Sequence, residues 1–175
     1  MSKLRRITEK TIASRKDGHY GLFTTNDLAL LLDEPKSSNF SKFLHKASKL
    51  GVLTNVCKNI YINPLMPPDG RGVLAKIALL LHWDKFIYIS LESQLSHIGL
   101  ISQVLINHIT IMTTGRSGKV DTIYGSIEFT HTSCSVESLT GDIYFDPDIG
   151  IFRAKEHKAI KDLNRVGRNV QMMEE

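Results

Sequence analysis

The residues able to do chemistry in this chain are scattered, and few stand at the spacings that chemistry requires. Seven histidines (His19, His45, His82, His97, His108, His131 and His157) invite a metal or catalytic reading. None has a second ligand at i, i+4, however, and neither HExxH nor GxSxG occurs. Cys57 and Cys134 are far apart and belong to no CxxC or CxxH pair, so neither a zinc site nor a disulfide framework is expected, and a reducing cytoplasm fits best. Asp142, Asp146 and Asp148 carry the ligand chemistry of a divalent-cation site, yet Gly141, Pro147 and Gly150 interleave with them as in a turn between strands. The turn is the reading adopted. Thr113-Thr114-Gly115-Arg116-Ser117-Gly118-Lys119 has the look of a phosphate-cradling loop but lacks the GxxxxGK[ST] spacing, and a strand-to-strand turn is expected there too. The sequon Asn39-Phe40-Ser41 falls inside an expected helix and carries no meaning in a cytoplasmic chain. No catalytic residue, metal ligand or cofactor is assigned, and an enzyme is not expected.

Binding remains, and charge shows where. Residues 1–64 hold eleven Lys and Arg against five Asp and Glu, whereas residues 65–175 hold eleven against thirteen. The chain's positive balance therefore belongs to its front. Counterion release makes such a region a fit for a polyanion, although the charge by itself suits a solvated basic surface equally well.

The elements that must carry those cations follow from periodicity. A first helix runs from Lys3 to Arg15, with Leu4, Ile7, Thr11 and Ile12 near one face. A second starts at Thr24 or Thr25, with Asp27 in its first turn and Leu28, Leu31 and Leu32 inward, and ends at Asp33-Glu34-Pro35-Lys36. A third has Ser37, Ser38 and Asn39 as caps; Phe40, Phe43, Leu44, Ala47 and Leu50 are its buried face, and Gly51 stops it. Its other face holds Ser41, Lys42, His45, Lys46 and Lys49. The β-prone runs 52–56 and 60–62 flank Cys57-Lys58-Asn59 as a small hairpin with Lys58 at its tip. Helix, turn, helix and β-ribbon in this order match a winged helix-turn-helix, whose second helix enters the major groove.

Three of the five prolines, Pro64, Pro67 and Pro68, fall close together and mark residues 65–72 as a linker. Beyond it a helix from about 73 to 82, an apolar run at 86–89, a capped helix from Ser90 to His97, strands near 106–114, 122–130, 141–145 and 149–154, and a last helix at 155–166 are expected. The fold class is α+β: the winged module at 1–64, then an α+β domain at 73–175 with a mainly antiparallel sheet. The basic N-terminus leads into Thr8, Glu9 and Lys10 rather than an apolar stretch, and the run from Val73 to Trp83 is too short to span a bilayer. A soluble, cytoplasmic protein with no membrane partner is expected.

Several stretches are similar to the AbiEi-type antitoxins of type IV toxin–antitoxin systems. In the front half these are Leu22–Leu28, Phe43–Leu53 and Ile60–Pro64. In the rear half they are Tyr88–Ile101 (YISLESQLSHIGLI), Thr113–Arg116 and Tyr124–Phe129. The Tyr88–Ile101 stretch is the most specific of them. Ala154–Ala159 also resembles the family's A-x-x-E-K-A helix start, with His157 separating Glu156 from Lys158. The resemblance implies an antitoxin that opposes a co-encoded nucleotidyltransferase-like toxin, with or without direct contact, and represses its own operon by binding operator repeats.

The residues expected to meet double-stranded DNA are Ser38, Ser41, Lys42, His45 and Lys46 in the major groove, with Lys49, Lys58 and Asn59 toward phosphates or the adjacent groove. A homodimer on DNA suits repeated operators. Glu92 and Arg116, inside the family-like stretches, suit either internal pairing or a partner. A winged-helix transcription regulator whose rear domain senses a ligand or dimerises is the alternative reading.

Overall fold

The computed structural model describes residues 2–70, 72–102 and 105–168. Its contacts divide the chain into two compact units, Met1–Gly70 and Arg71–Glu175, each with its own sheet. Both are α+β.

The front unit begins with α1 (Lys3–Lys16), capped by the Ser2 hydroxyl on the Arg5 amide at 3.2 Å. Helix α2 (Thr25–Leu32) has Thr24 as its N-cap in a full capping box: the Thr24 hydroxyl accepts from the Asp27 amide, and the Asp27 carboxylate accepts from the Thr24 amide at 2.7 Å. Asp33, left-handed at φ 55°, ends α2. Helix α3 spans Ser38–Lys49. Three short strands, β1 (Phe23–Thr24), β2 (Thr54–Cys57) and β3 (Ile60–Ile62), form an antiparallel sheet in the order β1-β3-β2. Strand β1 has no signature in the sequence because two residues are too few to show alternation. Val52 and Leu53 precede β2 instead of belonging to it; Leu53 plugs the core formed by Ile7, Phe23, Leu28, Leu32, Phe40 and Leu44. Leu50, placed by spacing on the buried face of α3, is 58% exposed because it is the helix C-cap and the chain turns away at Gly51, φ 70°.

Residues 65–70 of the expected linker belong to the front unit. Proline leaves neighbouring carbonyls without ladder partners, and side chains of the unit take them up: Arg15 donates to the Pro67 carbonyl at 3.3 Å, and the Tyr20 hydroxyl donates to that of Asp69 at 2.9 Å. Arg71, also within that linker, lies outside the described residues, as do 103, 104 and 169–175 of the expected rear domain.

The rear unit is built on a six-stranded sheet of β4 (Ile87–Ile89), β5 (His108–Thr113), β6 (Gly118–Thr122), β7 (Gly125–His131), β8 (Ile143–Asp146) and β9 (Ile151–Ala154), in the order β6-β7-β5-β4-β9-β8. The sheet is mixed: three of its five pairings are antiparallel, β4–β5, β6–β7 and β8–β9, while β5–β7 and β4–β9 are parallel. Helix α4 (Val73–Leu81) packs on β5 and β7; α5 (Leu91–His97) and α6 (Glu156–Arg165) pack on each other, α5 also on β5 and α6 on β9. Gly125 starts β7 at φ 135°, so close to Asn107 that a Cβ would lie 2.1 Å from its carbonyl oxygen. Only glycine fits there.

Candidate nucleic-acid interface

Helix α3 separates its residues cleanly. Phe40, Leu44 and Ala47 are buried, whereas Ser38, Ser41, Lys42, His45, Lys46 and Lys49 are all exposed. Ser38, Lys42, His45 and Lys49 follow one another at i, i+4, i+7 and i+11, a single line down the helix, with Ser41 and Lys46 on either side. Twelve residues make a rod of about 18 Å. Among the described residues none of Lys42, Lys46, Lys49 and Lys58 is held in an ion pair.

The cations of α1 behave differently. Lys3 pairs with Glu34, Arg5 with Glu9 at 2.8 Å and Arg15 with Asp69 at 3.4 Å, while Arg6 donates to the Leu32 carbonyl at 2.8 Å. Much of the positive charge on α1 is thus spent on internal contacts, and that of α3 stays available.

Ser37, not Ser38 or Asn39, is the cap of α3: its hydroxyl accepts from the Phe40 amide at 3.1 Å. Ser38 and Asn39 are thereby released from capping and exposed in the first turn. The Ser41 hydroxyl donates to the Ser37 carbonyl at 3.2 Å, which leaves its oxygen lone pairs as an acceptor. Asn39 is a residue the sequence reading missed, having been taken for a cap. It lies three residues before Lys42 and seven before Lys46, on the same exposed flank.

The β2–β3 hairpin places Lys58 and Asn59 at its turn, both exposed. Asn59 adopts φ 63°, and the Asn55 amide group donates to the Cys57 carbonyl at 3.0 Å and the Ile60 carbonyl at 3.3 Å, fixing the turn from within. The Thr25 amide donates to the Asn59 carbonyl at 3.0 Å, so the hairpin tip is tied to the start of α2.

The chain shares its fold with a solved structure. That structure is the RV2827C protein from Mycobacterium tuberculosis, at a TM-score of 0.58 and 11% sequence identity. The match covers 90% of this chain and 59% of that one, so the chain spans less than two thirds of its structural neighbour's length. No family model and no curated protein matches the sequence.

The front unit also holds a shallow cavity of about 320 Å³ lined by Ser14, His19, Phe23, Asp27, Leu30 and Leu31. His19 stacks on Phe23 with ring centroids 4.4 Å apart, and burial holds its pKa below the usual histidine value. Leu30 is 80% exposed.

The polar groups of the rear unit are largely engaged with one another. Glu92 pairs with Arg168 at 2.8 Å, and Arg168 also bonds Glu128; Arg116 is exposed and elsewhere, so the two residues singled out in the family-like stretches do not pair. In the acidic turn, Asp142 meets His157 at 2.9 Å and Asp146 meets Arg153 at 2.6 Å, and the hydrogen bond each carboxylate accepts holds that group below the usual range. Among the described residues no three His, Cys, Asp or Glu side chains converge as metal ligands, and no helix is long and apolar enough to cross a membrane.

Proposed function

We propose that the front unit is a winged helix-turn-helix that binds duplex DNA, with α3 in the major groove and the β2–β3 hairpin as its wing. The observation that carries this reading is the exposed line of α3, where unpaired lysines alternate with polar side chains opposite an apolar core face. Lys42, Lys46, Lys49 and Lys58 supply phosphate neutralisation; Ser38 and Ser41, near the helix start, and His45, one turn beyond Ser41, supply base-edge contacts.

The further reading is an antitoxin of a type IV system, cytoplasmic and not an enzyme, which opposes a nucleotidyltransferase-like toxin and represses its own operon, as a homodimer on repeated operators. Its support is the resemblance of Tyr88–Ile101 and the associated stretches to the AbiEi-type antitoxins. The test is co-expression with the neighbouring toxin gene, using the full chain and residues 71–175. Rescue of growth by either supports the antitoxin reading; failure of both rejects it. A gel-shift titration with the DNA upstream of the gene tests the front unit separately. Lys42→Ala with Lys46→Ala lowers affinity and reduces the salt slope by about one to two units. An unchanged slope rejects the placement of α3.

A further inference from the structure

Trp83 is the chain's single tryptophan, and it is 82% exposed. It stands in the turn between α4 and β4 beside a residue that is firmly fixed. The His82 ring lies flat on Phe129, centroids 4.0 Å apart and 3° from parallel, and its Nδ1 meets the Thr113 hydroxyl at 2.7 Å. One neighbour is locked inward while the indole is held out.

The Gly-rich segment that resembled a phosphate loop packs against this same turn. Strand β5 ends at Thr113 and β6 begins at Gly118 on the far side of β7, so residues 114–117 must cross the end of β7. The crossing is pinned: the His131 amide donates to the Ser117 hydroxyl at 2.8 Å, the His131 ring meets the Gly115 carbonyl at 2.7 Å, and the Gly115 amide donates to the Thr113 hydroxyl at 2.9 Å. A Cβ on Gly115 would lie 3.0 Å from the Lys85 side chain and 3.1 Å from the His82 ring. The two turns are therefore in direct contact.

Two cations lie there although residues 71–175 hold eleven Lys and Arg against twelve Asp and Glu. Within 82–86 and 113–118 the charged residues are Lys85 and Arg116 against Asp84; Lys119 is in register with Glu128 and so faces the other side of the sheet from Phe129 and His82. Arg116 has no ion-pair partner among the described residues. Lys85 pairs only with adjacent Asp84 at 3.0 Å; the pair is solvent-exposed, and such a contact yields readily to a phosphate.

We propose that Trp83, Lys85 and Arg116 form a binding surface for single-stranded nucleic acid. An unpaired base stacks on the indole face, and the adjoining phosphates meet the two cations. A duplex keeps its base faces stacked away from the indole, and an acidic peptide engages the cations without using it. The surface is thus selective for unpaired strands.

Because Trp83 is the only tryptophan, its fluorescence reports on this surface, and removing two α3 lysines weakens any binding at that helix. The test titrates the full chain carrying Lys42→Ala and Lys46→Ala with twelve-nucleotide oligo(dT) and oligo(rU), a DNA duplex of equal length, and polyglutamate. The expected result is saturable quenching by an unpaired strand and none by duplex or polyglutamate. Quenching by RNA alone assigns the 2′-hydroxyl a role; quenching by both strands assigns base and phosphate alone. Arg116→Ala weakens the affinity at least five-fold and lowers the salt slope by about 0.7. Trp83→Ala, followed by anisotropy of a labelled strand, weakens binding likewise. Absence of quenching by either strand, or equal quenching by polyglutamate, overturns the proposal. Neither result bears on the duplex-binding reading of α3, which the gel shift decides.

Discussion

Lys158 and Asp162 face each other one turn apart on α6, Nζ 2.7 Å from Oδ1, with side chains only 3% and 1% exposed. The other carboxylate oxygen accepts from the Tyr88 hydroxyl at 3.0 Å and the Ser90 hydroxyl at 2.9 Å. One acid therefore joins α6 to β4 and to the start of α5, and burial together with this carboxylate drives the Tyr88 phenol well above its usual pKa. Removing one partner of a buried pair leaves the other charge stranded. Asp162→Ala is expected to cost about 3–5 kcal/mol in urea denaturation. Adding Lys158→Met recovers the part due to the stranded ammonium, and what remains belongs to the orphaned hydroxyls of Tyr88 and Ser90.

Gly125→Ala places a methyl group against the Asn107 carbonyl at a backbone angle that alanine disfavours. A loss of about 2–4 kcal/mol is expected from strain and displacement together. Calorimetry checks it: Gly141→Ala, also at positive φ but with open space around its Cβ, loses less.

Burial lowers the pKa of His82, the largest influence on it, with Lys85 adding to the shift and Asp84 opposing it. The unfolded chain, with an ordinary histidine pKa near about 6.5, binds the proton more readily than the folded one. Stability from the neutral ring is thus complete above that value and is lost as pH falls from there through the folded pKa. His82→Phe, which keeps a flat ring over Phe129, is expected to narrow the difference in Tm between pH 7.5 and pH 5. An unchanged difference assigns the pH dependence to His19 and His108, whose pKa values burial also lowers.

The two thiols are set apart by their surroundings. Burial pushes Cys57 up to about 11. Cys134 is lowered, first by the Thr132 hydrogen bond and then by Lys158 and Arg165. Native-state alkylation at pH 7.5, read by mass spectrometry, is expected to label Cys134 well before Cys57. Equal labelling would show that the front core opens.

The front unit was largely legible because its signals are local. The i, i+3, i+4, i+7 spacing from Phe40 to Ala47, the Thr24–Asp27 box and the Asn59 turn each act within a few residues, and the structure places all eight proposed contact residues at the surface. The rear unit hid more. Gly118–Thr122, with one apolar residue in five, shows no alternation, since an edge strand needs little apolar surface. Lys158 and Asp162 have the spacing of a solvated i, i+4 pair, and only the three-dimensional fold shows both to be buried. Ser90 resembles a helix cap, yet it makes no side-chain capping bond because its hydroxyl is committed to Asp162. Partners so distant in sequence leave no mark in local pattern.

The parallel pairing of β4 with β9 joins Tyr88 and Ile89 to Phe152 and Arg153. As the chain leaves the ribosome, the front unit has every strand it needs once β3 has emerged, while the rear sheet stays open until β9 arrives. Contacts closed over so long a loop form late. Synthesis therefore completes the basic front unit first and passes through a stage in which that unit is folded and the rest of the chain is still without its sheet.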